Sequence, residues 1–321
     1  MSSSLSRSLV IVAYHDQRPV EPVLRLFDSM DRHDPGLAHD RVVVVNTTDG
    51  ARVAELRSAG ITCVEKPDRG MNLGAWDHGW RTSPRHDAFL FLQDDCTVVR
   101  RGWLRAFADA CGPGVGLVGE SFNENWNAPW NELRESRGHI PIGEHVLDGK
   151  PANRIDVYLD FMRRSGIDPG AGGDHLRGQV WYAHRTALED IDGFPYPTNR
   201  GEWIGAEIAV SRSMVARGWE LVQVDESPFH YIAHHEWQVE PGTGVYTHAD
   251  SVGRLGRARR RLVGPQPATP DREPADTESV GGRSVDDESV DDGGVAEVRR
   301  STSGLDGEAP RRRAPRSDRR R

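Results

Sequence analysis

The run Phe89-Leu-Phe-Leu-Gln-Asp-Asp95 ends in two adjacent carboxylates. Carboxylates at a strand tip, just outside a buried sheet, suit a hard divalent cation that keeps several waters and also touches a diphosphate. Taken alone, the same pair also fits a solvated turn or a cap. Further along, His230, His234 and His235 fall within six residues of one another. Imidazole together with carboxylate suits Mn or Mg in a mixed site, although a histidine here can equally be structural. Glu202 and Glu207 lie on either side of Trp203. A carboxylate in that setting can accept a proton from a hydroxyl as a general base, or simply favour the positive end of a helix.

Such groups need a scaffold, and the hydrophobic pattern supplies one. Leu9 to Ala13, Arg41 to Val45, Ala88 to Leu92 and Val115 to Val118 read as buried strands, with a shorter one at Ile61 to Val64. Between them Pro22 to Met30, Ala51 to Ala59 and Gly102 to Ala110 carry helical spacing. β-branched runs alternating with helices predict an α/β fold, a parallel sheet covered on both faces. Ligands of such sheets sit beyond the carboxyl ends of the strands. The polar residues that follow the runs, Tyr14-His15-Asp16, Asn46-Thr47-Thr48-Asp49 and Gln93-Asp94-Asp95, are therefore the candidates for contact. The second half is less regular: Asn123 to Asp174 reads as polar, and is followed by a strand at Gln179 to Ala183, a helix at Ala206 to Arg217 and a strand at Leu221 to Val224.

Several segments in this order resemble the GT-A glycosyltransferases, in particular the family 2 type. Leu92-Gln-Asp-Asp-Cys96 followed by Arg101-Gly-Trp-Leu104 has the spacing of their acidic element and the helix start after it, with Gln93 where an Asp usually leads. Leu9 to His15 looks like the first nucleotide-binding strand. Arg69-Gly-Met-Asn72 and Gly74-Ala-Trp-Asp-His-Gly79 resemble the region that meets the donor, with Asp77 in place of Asn. Arg185 to Phe194 resembles the segment leading to the acceptor side, and the second strand ends in Asn46 where Asp is common.

The resemblance covers most of Leu9 to Trp237 and implies a Rossmann-like, mostly parallel sheet with helices on both faces. It implies transfer of a sugar from a nucleotide-sugar donor to a hydroxyl acceptor, inverting and assisted by Mn or Mg. Carried over by position, it assigns donor contact to Tyr14, Asn46, Asp49, Asn72, Asp77, Gln93 and Asp94. It assigns metal binding to Asp95, Asp94 and His230, with His234 or His235 as substitutes. Counting back about eleven residues from Gly218-Trp219 reaches Glu207 as the base, with Glu202 competing.

Composition separates a catalytic domain over residues 1–263 from a tail over 264–321. All 9 Trp, 6 Tyr and 8 Phe precede Pro265, and the rest is Asp, Glu, Arg, Ser, Gly and Pro, which is expected to be disordered. The net charge of -8 conceals opposite blocks in that tail, acidic around Asp286 to Asp292 and basic at Arg311 to Arg313 and Arg319 to Arg321, which argues against a simple polyanion-binding arm. Cys63, Cys96 and Cys111 form no zinc or redox pattern, and Leu9 to Ala13 is far shorter than a span of about 20 residues, so a cytoplasmic place is expected. Arg254 to Arg261 could rest on anionic lipid, which would suit a lipid-linked acceptor as well as a glycan one. A nucleic-acid role is not expected, because aromatics are not interleaved with these basic residues. Two other functions remain. A nucleotidyltransferase should show a Gly-rich loop with a nearby Arg or Lys after the first strand, which Ala13-Tyr-His-Asp-Gln17 lacks. A non-catalytic nucleotide-sugar-binding relative is suggested by Gln93, Asn46 and Ala206.

Overall fold

The computed structural model describes residues 7–48, 50–138 and 145–234, and the backbone of Trp237–Val239 and Tyr246–His248. Asp49, His235, the stretch from Arg254 to Arg261 and the tail lie outside the described residues. In chain order the first half runs β1 (Ser8–His15), α1 (Glu21–Arg32), β2 (His39–Thr47), α2 (Ala51–Ser58), β3 (Cys63–Pro67), α3 (Met71–Arg81), β4 (Ala88–Gln93), β5 (Cys96–Val98), α4 (Trp103–Ala110) and β6 (Val115–Gly119). There follow α5 (Trp130–Arg137), the short hairpin β7 (Val146–Leu147) and β8 (Lys150–Pro151), α6 (Arg154–Arg164), β9 (Val180–His184), α7 (Arg185–Asp190), α8 (Trp203–Ala216), β10 (Glu220–Gln223), β11 (Ile232–His234), β12 (Trp237–Val239) and β13 (Tyr246–His248).

Seven strands form one sheet in the order β10-β6-β9-β4-β1-β2-β3. β3, β2, β1 and β4 pair in parallel, as do β6 and β10, and β9 runs antiparallel between β4 and β6. This is the mostly parallel α/β sheet predicted above, with one reversed strand. Side chains alternate across it. Leu9, Ile11 and Ala13 join one core with Trp76 and Trp80 of α3 and with α6 and α8, whereas Val10, Val12 and Tyr14 join a second core beneath α1, α2 and α4. A second sheet, β13-β12-β11-β5, is attached through β5, directly after the acidic tip of β4.

Two regions differ from the sequence reading. The glycine-rich stretch over 71–81 is a helix, α3, buried along most of its length against β1 and β2. The polar stretch after Asn123 contains α6, which buries Ile155, Val157, Tyr158, Phe161 and Met162, with Asn153 capping it by accepting from the Ile155 N–H at 2.9 Å. Interleaved Arg and Asp residues on the outer face of α6 hide its apolar stripe from a reading by average polarity.

Candidate active site

The carboxyl ends of β1, β2 and β4 lie side by side because these strands are parallel neighbours, so their polar tips converge. At the β1 tip Asp16 accepts from the Thr48 N–H (2.7 Å), the Thr48 hydroxyl (2.9 Å) and the Gly50 N–H (3.1 Å), tying the first two loops together. At the β2 tip the buried Asn46 accepts from Lys66 Nζ at 2.8 Å and donates to the Met71 carbonyl at 3.0 Å. Its amide therefore orients Lys66 and the start of α3. His15 Nε2 lies 3.2 Å from Oδ1 of the buried Asn72 and 3.4 Å from Asn46 Nδ2, and its Nδ1 lies 3.8 Å from Asp68. Burial lowers the His15 pKa, against the pull of Asp68. Tyr14 lies in the core, and its hydroxyl donates to the Arg18 carbonyl, which fixes the turn after β1.

At the β4 tip Gln93 donates through Nε2 to the Gly178 carbonyl at 2.8 Å. Asp94 is buried and accepts from Arg18 Nη1 at 2.8 Å through Oδ1, while its Oδ2 is buried without a hydrogen-bond partner. Burial pushes the Asp94 carboxyl up to about 6, with Arg18 acting in the opposite direction. Asp95 Oδ1 lies 2.9 Å from His234 Nε2. The antiparallel pairing of β5 with β11 explains this contact: His234 sits opposite Cys96, the residue after Asp95.

The same register removes His230 from the acid pair. Tyr231 pairs with Val99 beyond the far end of β5, and His230 lines a separate cleft with Arg100 and Arg101, its Nδ1 3.3 Å from Asp225. His230 therefore stands apart from the acid pair, and His234 is the imidazole beside Asp95. Glu120, which sequence reasoning missed, holds this arrangement. Buried at the end of β6, it accepts from the N–H groups of His230 (2.9 Å), Tyr231 (3.2 Å) and Ile232 (2.7 Å), and so sets the course of β11. Arg18 was also missed, since it stands one residue beyond the run inspected for a cation after β1.

Glu207 lies in the second turn of α8, which begins at Trp203 and not at Ala206. Its Oε1 accepts from the Trp203 indole at 2.6 Å and its Oε2 from the Gly178 N–H at 3.2 Å. Gly178 thus bridges Glu207 to Gln93 at the acidic tip. A Cβ at this position would stand 2.6 Å from the Glu207 carboxyl carbon and would displace that side chain. Glu202 is fully engaged elsewhere: Arg164 donates to it at 2.7 Å, as do the Thr198 N–H at 2.7 Å and hydroxyl at 2.8 Å. That carboxylate staples α6 to the loop before α8.

Asp77, expected at the donor, is a buried clamp. Trp80 Nε1 and the Phe194 N–H donate to Oδ1, both at 3.0 Å, and Arg81 Nε and the Tyr196 hydroxyl donate to Oδ2, both at 2.8 Å. Gly193, at φ 78°, passes so close that a Cβ would lie 2.1 Å from Asp77 Oδ1. Asp77→Ala leaves these donors unpaired and is expected to lower unfolding free energy by roughly 3–5 kcal/mol. Urea unfolding measures this, and an unchanged midpoint would exclude the clamp.

Next to Glu207 the buried His175 donates from Nδ1 to the Gly173 carbonyl at 2.6 Å and accepts from Asn123 Nδ2 at 3.2 Å, an arrangement that requires the neutral ring. Burial lowers its pKa to about 4 from 6.5. The unfolded chain takes up the proton first, so the contribution of His175 to stability is complete above pH 6.5 and is lost as pH falls toward 4. Against His175→Gln, wild type should lose up to about 3 kcal/mol more across that interval. Equal pH slopes in chemical unfolding of the two proteins would contradict this.

The strand tips thus bring together a carboxylate pair, an adjacent imidazole and a separate buried carboxylate beyond the carboxyl ends of the strands, where ligands of α/β sheets sit. No protein-family model matches the sequence, and no curated protein matches it. Among solved structures, the chain is similar to a mannosyltransferase from Pyrobaculum calidifontis in complex with GDP-Man and Mn2+ (17% identity, 68% of this chain and 54% of that one, TM-score 0.42). It is also similar to glucosyl-3-phosphoglycerate synthase from Mycobacterium tuberculosis with Mn2+, UDP and phosphoglyceric acid (15%, 71% and 70%, TM-score 0.41). A third is the bifunctional glycosyltransferase WbbM (14%, 68% and 38%, TM-score 0.36). The chain spans about half the length of the first of these and less of the third. No helix among the described residues is long and apolar enough to cross a membrane.

Proposed function

We propose that this protein transfers a sugar from a nucleotide-sugar donor to a hydroxyl acceptor by direct inverting displacement, assisted by Mn or Mg. The observation that supports this most is the bridge Gln93–Gly178–Glu207, which joins a candidate base to the tip that carries Asp94 and Asp95. Among the described residues no ready-made group of three His, Cys, Asp or Glu side chains surrounds a point. The donor set nevertheless fits a divalent ion that takes few protein ligands and keeps water and phosphate oxygens for the rest. Asp95 and His234 lie in contact, and Asp94 Oδ2 is a buried oxygen without a hydrogen-bond partner. When bound, the ion would neutralise charge on the departing diphosphate.

The protein's own groups divide the remaining work. His15 and Asn72 at the β1 and α3 ends face the nucleotide, held from behind by Asn46 and Lys66. Gln93 positions Gly178 at the sugar, and Glu207 accepts the proton of the acceptor hydroxyl as the new bond forms. The acceptor is a glycan or a lipid-linked sugar, approached from the α8 side. Nucleoside diphosphate release from a panel of UDP- and GDP-sugars, with Mn, Mg or chelator, tests the reading. Release from none of them would remove it. Tight donor binding without turnover would favour instead a binding protein, a reading supported by the internal commitment of the Asn46 amide.

A further inference from the structure

We infer that Arg18 is a coupling residue: its guanidinium covers Asp94 and Asp95 in the resting protein and moves to the donor diphosphate when metal and nucleotide bind together. The inference rests on the function proposed above. Arg18 Nη1 lies 2.8 Å from Asp94 Oδ1 and Nη2 lies 3.7 Å from Asp95 Oδ2, so one planar fork spans both carboxylates. The side chain that does this is 50% exposed, whereas the Asp94 side chain it covers is 1% exposed.

The root of Arg18 is fixed and its head is not. The Arg18 N–H donates to the His15 carbonyl at 2.9 Å, and its own carbonyl accepts from the hydroxyl of the buried Tyr14. Beyond that anchored backbone, a long side chain swings through water with its charge intact. A divalent ion and a guanidinium on the same two carboxylates repel each other and share the negative charge that holds both. Metal alone therefore weakens the hold on Arg18 and shifts its half-exposed head toward water, with nothing gained by the cation that leaves. With a nucleoside diphosphate present, the displaced guanidinium finds an anion that its fork fits in two-pronged fashion. Binding of metal and nucleotide is thereby made cooperative, and the acid pair is kept from binding metal without donor.

Mn2+ binding to the full chain, followed by electron paramagnetic resonance of free Mn2+ with and without UDP or GDP, tests this. Arg18→Ala should bind Mn2+ alone about tenfold more tightly than wild type, the size expected for loss of one charge-assisted hydrogen bond to a carboxylate. In saturating Mn2+ the same variant should bind nucleoside diphosphate about tenfold more weakly. Arg18→Lys keeps the charge without the fork and should fall between the two in both measurements. Unchanged or weaker Mn2+ binding in Arg18→Ala, with Asp95→Asn abolishing it, would overturn the coupling while leaving the metal site standing. Absence of Mn2+ binding in both wild type and Arg18→Ala would overturn the coupling and the metal assignment together, and nucleoside diphosphate release would still decide separately whether sugar is transferred.

Discussion

Glu207→Gln is expected to lower sugar transfer by about 10²–10⁴ while leaving donor affinity nearly unchanged, the range that a positioned general base contributes. The substitution keeps the shape of the side chain and an acceptor oxygen for the Trp203 indole, while its NH2 gives up the bond from the Gly178 N–H. It also removes proton acceptance. Glu202→Gln should act differently, because Glu202 is held by Arg164 and Thr198 and its loss loosens the contact between α6 and the loop before α8. Its effect should appear first in thermal unfolding. Single-turnover rates of both variants, measured at saturating donor, separate the two residues; a Glu207→Gln enzyme of wild-type rate would remove the base assignment. Gly178→Ala offers a check that does not alter the carboxylate, since its Cβ would push Glu207 from its place.

The second large effect concerns the acid pair. Asp95→Asn should abolish the increase in nucleotide affinity brought by Mn2+, with the fold intact, because Asp95 stands at a strand tip and packs against no core. His234→Ala should reproduce much of that loss. His230→Ala should not, since its ring lies with Arg100 and Arg101 on the other end of β5. Isothermal titration of nucleoside diphosphate in Mn2+ and in chelator reads all three. Equal losses in the two histidine variants would show that the register of β5 and β11 does not govern the site.

The strands and their tips were legible because continuous apolar runs have one explanation in an α/β chain, and the polar residues directly after them must emerge at the sheet's edge. Glu207 was singled out through the family resemblance, by counting back from Gly218, and it lies in α8. Other features were out of reach for a common reason: their partners are remote in sequence. His234 and His230 are equivalent by local spacing, and only the pairing of β11 with β5, more than a hundred residues away, distinguishes them. Asp77 was placed at the donor by resemblance, and its bonds from Phe194 and Tyr196 come from more than a hundred residues away. Glu120 follows an apolar strand as any tip residue would, but it serves backbone amides far along the chain. The glycine-rich composition of α3 hid a helix, since intrinsic propensity opposes what burial against β1 and β2 enforces.

The reversed strand β9 has a consequence for synthesis on the ribosome. Its residues 180–184 fill the place beside β4, so that Ala88 pairs with His184 and Leu92 with Val180. The nascent chain therefore completes β1 to β4 and then carries an open, apolar strand edge for the roughly 5–20 s that translation of the intervening hundred or so residues takes. β6 has no partner during that interval, because both of its neighbours, β9 and β10, are still to be made. A chain released early in this window presents two strand edges of the kind that recruit other chains. Arrival of β9 covers the open edge of β4 and pairs with β6, and it brings Gly178, two residues before it, to Gln93; Glu207 follows later with α8, and β10 then completes the sheet.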